Sequence, residues 1–207
     1  MTPSLNLLGL EPLFFSPLLS FEISNAAALN AQLLTEALAR QASSPGLARS
    51  NIDGWHSEDD FFEREEIGCA ALRTQIIESV RVATHQLSPD FDFKQYGIQA
   101  QGWINVLPPG GMNAPHDHPG WVWSGCYYVH TPEGGDRSGS IEFIDSRTNV
   151  RALTIEGANC FASKYTVQPR AGQLLLFPSY LKHWVAPNRG DQARVSIAFN
   201  ARFARKR

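Results

Sequence analysis

The stretch Pro115-His116-Asp117-His118-Pro119-Gly120, followed by Trp121-Val122-Trp123-Ser124-Gly125-Cys126-Tyr127-Tyr128-Val129, sets the reading of the whole chain. If the chain is extended near His116, alternate side chains share a face, so His116 and His118 point one way and Asp117 the other. A third histidine, His183, follows the apolar run Leu174-Leu175-Leu176-Phe177-Pro178. Two close ligands at one strand end and a remote one on another strand are what a β-barrel needs to hold a metal on three sides and leave positions open.

Outward from this stretch, the texture is β-rich from Tyr96 onward. Strands are expected at Ile98–Leu107, Trp121–His130, Ser140–Ile144, Val150–Ile155, Ser163–Val167, Gln173–Phe177 and Arg194–Arg202, separated by glycine, proline and asparagine. No strand–helix alternation appears among them, which excludes a doubly wound fold and favours a double-sheet jelly roll. Upstream, Leu10–Ile23 reads as an irregular strand. Ser24 or Asn25 can cap a helix carrying Leu29, Leu33, Leu34, Ala37 and Leu38 and ending before Pro45-Gly46. Ile76, Val80, Ala83 and Leu87 recur at helical spacing up to Pro89 and mark a second helix. Both are expected to pack outside a sheet. Between them, Ser50–Ser57 has no periodicity and reads as a structured loop.

The chain has 207 residues, a formal charge of -2 and 43% hydrophobic residues, as expected for one domain: 1–95 as helical support and 96–202 as jelly-roll core. Such a charge gives no electrostatic case for a nucleic acid or membrane partner, and Arg202, Arg205, Lys206 and Arg207 read as a solvated tail. The apolar Leu5–Leu19 is broken by Glu11, Pro12 and Pro17 and lacks a basic flank, so neither a signal peptide nor a membrane span is read there, and a cytoplasmic protein is expected. Cys69, Cys126 and Cys160 form no paired motif and read as small apolar fillers.

Arg194 and Ser196 share a strand face by parity. An arginine pointing into a barrel keeps its charge and needs an anionic partner, and its planar fork suits a carboxylate. Metal ligands near such a pair suit an acid that chelates the metal at one end and meets the arginine at the other, a description that 2-oxoglutarate fits. With these residues assembled, the chain resembles the iron(II)/2-oxoglutarate-dependent oxygenases. It is similar in particular to a bacterial and phage branch of putative 2OG-Fe(II) oxygenases, through SNIDGWHS (50–57), WINVLPPGGMNAPHDHP (103–119), SGCYYVHTP (124–132), GQLLLFPSYLKHWVAPN (172–188) and RVSIAFN (194–200). The resemblance implies a mainly β chain with flanking helices folded as a double-stranded β-helix, a cupin-like jelly roll. It implies iron(II) and 2-oxoglutarate as cofactors and the hydroxylation of an unidentified substrate with release of succinate and carbon dioxide.

The superfamily's common triad is His-x-Asp/Glu followed by a distal histidine, and here His118 stands at the carboxylate's place. Parity favours His116, His118 and His183 as catalytic metal ligands over a triad in which a bulge brings Asp117 inward. Arg194 and Ser196 would bind the co-substrate, joined by Asn105 and Tyr128, while parity turns at least one of Tyr127 and Tyr128 away. His85 and His130 read as structural or exposed, and His56 as either an anchor of its loop or part of the site. Trp103, Trp121, Trp123 and Trp184 read as core or pocket wall. The partner is a small molecule or peptide of unidentified class, met by loops at Pro108–Ala114, Thr131–Gly139 and Asn149–Ser163, and a homodimer is left open. Two alternatives remain at this stage: a three-histidine cupin-type metalloenzyme that does not use 2-oxoglutarate, and a non-catalytic metal-stabilised binding module.

Overall fold

Two antiparallel sheets face each other in the computed structural model, which describes residues 7–147, 155 and 158–206. In chain order the elements are β1 (Leu19–Glu22), α1 (Ala26–Ser43), β2 (Asn51–Ile52), β3 (Trp55–His56), α2 (Ile67–Leu87), β4 (Tyr96–Leu107), β5 (Met112–His116), β6 (Trp123–His130), β7 (Ile141–Ile144), β8 (Lys164–Val167), β9 (Gln173–Pro178), β10 (Lys182–Val185) and β11 (Arg194–Arg205). The larger sheet has the order β1-β9-β6-β11-β4-β3 and the smaller β2-β5-β10-β7-β8. This is the mainly β jelly roll with flanking helices that the strand pattern predicts.

The alternation of the large sheet explains its near-continuous apolar sequence, because both of its faces are covered. Val195, Ile197, Phe199 and Ala201 of β11, Ile104 and Val106 of β4, and Leu174 and Leu176 of β9 form one core with Leu33, Ala37, Leu72, Ile76, Val80 and Ala83 of the helices. Tyr128, Leu175 and Phe177 face the other way and pack with Ile141 and Phe143 of the small sheet. Buried polar tips fix the helices to the sheet: the Tyr127 hydroxyl donates to Asn30 at 2.6 Å, and the Trp123 indole N–H donates to Thr84 at 3.1 Å. Glu36 of α1 accepts the first free N–H groups of α2, from Gly68 at 2.9 Å and Cys69 at 3.1 Å, satisfying donors that a helix start leaves orphaned. Burial alone would raise the Glu36 carboxyl, but these bonds and one from Gln32 hold it below its ordinary value.

Several expectations need correction. Ser50–Ser57 is not a loop. Its β2 pairs with β5 and its β3 with β4, so one short segment, turning at Asp53 with φ of 52°, joins an edge of each sheet. Strand β1 spans only Leu19–Glu22, and Leu7, Leu8, Leu10, Leu13, Phe14 and Phe15 are exposed. Asn25 stands at the start of α1, but its side chain makes no cap hydrogen bond. The C-terminal cations Arg202, Arg205 and Lys206 are solvent-exposed, as expected, but do not form a free tail: Arg202 lies over the Trp121 ring at 4.8 Å and donates to Gln99, Arg205 ends β11, and Lys206 donates to the Phe93 carbonyl. Arg207 and, apart from Ile155, the strand expected at Val150–Ile155 lie outside the described residues. Cys69 is buried but Cys160 is exposed, so only the former acts as a filler. No described helix is long and apolar enough to cross a membrane.

Candidate active site

The two sheets enclose a cavity of about 340 Å³, and its two ends carry different chemistry. At the small-sheet end, β5 and β10 pair so that His116 lies directly opposite His183. His118 does not share a strand with His116, contrary to the parity reading. His116 ends β5, and His118 follows it in the connection that turns at Pro119-Gly120, where Gly120 has φ of 85°. The local register shift lies before His116, between the pairs His183/His116 and Val185/Asn113, and leaves Asp117 exposed. One nitrogen from each of His116, His118 and His183 lies within 4.8 Å of the others, and no carboxylate joins them among the described residues.

Backbone carbonyls orient two of these rings. His116 Nδ1 lies 2.7 Å from the Ala114 oxygen and His183 Nδ1 2.8 Å from the Leu181 oxygen. A carbonyl only accepts, so each Nδ1 carries the hydrogen and each Nε2 keeps a free lone pair, the arrangement typical of metal-bound histidine. Burial lowers the pKa of His116, and burial together with the neighbouring His116 pushes His118 to about 4 and His183 to about 3. All three are therefore neutral near pH 7, as metal ligation requires.

At the large-sheet end, three adjacent strands place Asn105, Ser196 and Tyr128 in one row, with Ser196 opposite both others. Arg194 precedes this row on the same face and is 2% exposed. Its Nε donates to the Gly139 carbonyl at 3.1 Å, its Nη1 donates to Ser196 Oγ at 3.1 Å, and its guanidinium carbon sits 5.1 Å from the centre of the Tyr128 ring. No acidic side chain pairs with it among the described residues. The Tyr128 hydroxyl and Asn105 Oδ1 are buried without a partner, each at a cost of about 1–3 kcal/mol if left so. Burial holds the Tyr128 phenol well above its ordinary pKa, so it remains a donor. A buried guanidinium without an acidic partner, beside a hydroxyl donor with none, leaves a positive charge and a donor that an anion can meet.

The structure thus brings together His116, His118, His183, Arg194, Ser196, Asn105 and Tyr128, and turns Tyr127 outward. His85 is exposed and His130 lies against the Ala193 carbonyl, away from the cavity lining. Sequence reasoning missed two features and left a third, His56, open between loop anchor and site residue. Gly139, with φ of 59°, underlies Arg194, where an added Cβ would meet Arg194 Cδ at 2.8 Å. Cys126, read as filler, lines the cavity. His56 is buried on the wall and stacks on Trp103 at 5.3 Å and 13°. The contact between Gly139 and Arg194 spans 55 residues and leaves no mark in local sequence.

Comparison with known proteins agrees with this geometry. No curated protein sequence matches the chain. The fold is shared with a Pseudomonas putida prolyl-4-hydroxylase, at 17% identity over 92% of this chain and 93% of that one with a TM-score of 0.61. It is shared as well with the non-heme alpha ketoglutarate dependent epimerase SnoN of nogalamycin biosynthesis, at 14% identity over 93% and 79% with a TM-score of 0.65. A third likeness is to HygX from Streptomyces hygroscopicus, solved with nickel and 2-oxoglutarate, at 13% identity over 90% and 82% with a TM-score of 0.60. Residues 101–200, which carry the three histidines and Arg194/Ser196, match the family described as putative 2OG-Fe(II) oxygenase, and it is this family that the chain resembles in sequence and in fold.

Proposed function

We propose that the protein is an iron(II)- and 2-oxoglutarate-dependent oxygenase that hydroxylates a C–H bond of a small substrate. The observation that carries the reading is the buried Arg194, without a carboxylate partner among the described residues, across one cavity from three histidines whose free nitrogens converge. A dianion with a chelating end and a distal carboxylate would satisfy both ends at once.

In this reading His116, His118 and His183 hold the metal through Nε2 of at least the two carbonyl-anchored rings. Arg194 takes the distal carboxylate with charge-assisted bonds, and Ser196 and Tyr128 add hydroxyl donors. Gly139 keeps the guanidinium in place from behind. When bound, the metal and 2-oxoglutarate supply an oxidative decarboxylation: of the two atoms of O2, one enters succinate and the other the hydroxylated product, with carbon dioxide released. The protein supplies position and field. Phe143, Phe177 and Ile141 form an apolar side of the interior near His183, which limits water there. Three ligands without a fourth among the described residues leave coordination positions open, unlike a closed structural zinc site.

Crystals soaked anaerobically with iron(II) and 2-oxoglutarate test the reading. The expected result is iron on the three histidines and an acid reaching from it to Arg194. A tetrahedral metal with a fourth protein ligand would favour a structural module, and metal without the acid would favour a cupin-type enzyme.

A further inference from the structure

One wall of the cavity is left unused by the metal and the co-substrate. The segment that joins the two sheets places Arg49, Ser50, His56 and Asp59 on the lining, beside Trp103. This wall adjoins the metal end, since the Trp103 ring is 5.6 Å from His118 and His56 stacks on Trp103. His56 Nδ1 is 2.5 Å from the Ser57 carbonyl oxygen, so it carries the hydrogen and Nε2 of the neutral ring is an acceptor. Arg49 and Asp59 bring opposite charges to the same cavity, yet neither is ion-paired among the described residues. The contrast with the next residue is direct: Asp60 is engaged by both Arg40 and Arg64. The fold commits its nearby arginines to Asp60 and leaves Asp59 with an unneutralised carboxylate on the cavity.

A neutral acceptor and a carboxylate together recognise an ammonium group, and a guanidinium recognises a carboxylate. At about 340 Å³ the cavity is near the lower limit of small-molecule sites, which run from roughly 300 to 1,000 Å³. It must hold the co-substrate as well, so the room left inside takes a group of about one residue's size. We propose that this wall is the primary-substrate subsite and takes a free α-amino acid, its ammonium held by Asp59 and His56 and its carboxylate by Arg49. The inference rests on the oxygenase reading for what then happens to the amino acid, but its binding can be measured independently.

The experiment is calorimetric titration of the metal-loaded protein, with and without 2-oxoglutarate, using the common L-amino acids, followed by the N-acetyl and carboxamide derivatives of the tightest binder. At least one free amino acid should bind saturably, and each blocking group should weaken it by about tenfold or more. In Asp59→Asn the penalty for N-acetylation should vanish, and in Arg49→Gln the penalty for amidation, while both variants bind 2-oxoglutarate like wild type. Equal affinity for free and blocked forms, or no binding by any amino acid to protein that binds 2-oxoglutarate, overturns the proposal. Failure of 2-oxoglutarate itself to bind would instead count against the oxygenase reading, and the amino-acid titrations would still decide the subsite.

Discussion

The two ends of the cavity are built in opposite ways. The anion end rests on β4 and β11, strands of 12 residues each, where strict alternation carries Arg194, Ser196, Ala198 and Asn200 inward and Val195, Ile197, Phe199 and Ala201 toward the helices. The unbroken ladder is that of β11 with β4, since β11 shifts register against β6 between Val195 and Ser196; the histidine end rests on strands of five and four residues, a register shift of its own and a connection outside any strand. A long ladder fixes side chains by period alone, and a one-residue slip would expose its entire core face. The short strands hold their histidines by local bonds instead, to Ala114 and Leu181. The anion end should therefore tolerate loss of one contact with graded cost, whereas the metal end should fail steeply when a ligand is removed.

The steepest effect tests that contrast first. Loss of groups that merely support a ligand costs roughly 10–100-fold in metal affinity, so His183→Ala or His116→Ala should exceed about a hundredfold. The circular dichroism spectrum should stay native, because the core lies between helices and large sheet and not around the metal. Stoichiometric metal at wild-type affinity in either variant would remove these residues from the site. Next, Arg194→Gln should weaken 2-oxoglutarate by roughly ten- to a hundredfold, from a charged hydrogen bond worth about 1.5–3 kcal/mol, while metal affinity holds. Arg194→Lys should fall between, since it keeps the charge and loses the fork. Gly139→Ala would press a methyl on Arg194 in a left-handed backbone, a strain of about 1–2 kcal/mol. Chemical denaturation should register that loss, and titration should register a weaker hold on the acid.

A pH effect follows from the buried imidazoles. In the unfolded chain they take up protons near their ordinary pKa of 6.5, but in the folded chain His118 does so only near 4 and His183 near 3. Below pH 6.5 the unfolded state binds more protons, so the metal-free protein should be most stable above that value and lose stability as pH falls toward 4. The thermal midpoint measured across this window should fall less in His183→Ala; an identical slope in both proteins would argue that His183 titrates normally in the fold. The smallest effect is expected at Asp117→Asn, because the carboxylate is exposed and outside the cluster. Its metal affinity should match wild type, and a loss as large as that of His118→Ala would mean that Asp117 turns inward when metal binds.

Legibility in the sequence follows the same division. Strand parity is enough to pair Arg194 with Ser196 on the 12-residue β11 and to separate the adjacent Tyr127 and Tyr128, which precede the register shift of β6. It groups His116, His118 and His183, which the fold does bring together, but by a wrong path, since His118 is in the loop beyond β5 and no period governs it. Strands of two residues, such as Asn51–Ile52 and Trp55–His56, have no internal pattern to read and exist because sheet edges accept them. Sequence therefore leaves His56 open between loop anchor and site residue, and Asp59, outside any strand, is not read at all. The seat of Arg194 on Gly139 is a tertiary contact between distant segments, and its signal lies in the close approach of backbone and side chain alone.

The joint use of both ends is tested most directly by anaerobic titration of the iron(II) protein with 2-oxoglutarate, following the visible charge-transfer band of a 2-oxo acid chelated to iron(II). Wild type should develop the band saturably, Arg194→Gln should need roughly ten- to a hundredfold more acid to reach the same amplitude, and His183→Ala should give none. A wild-type protein that binds iron yet shows no band, or an Arg194→Gln titration superimposable on wild type, would contradict the assignment of the cavity to 2-oxoglutarate.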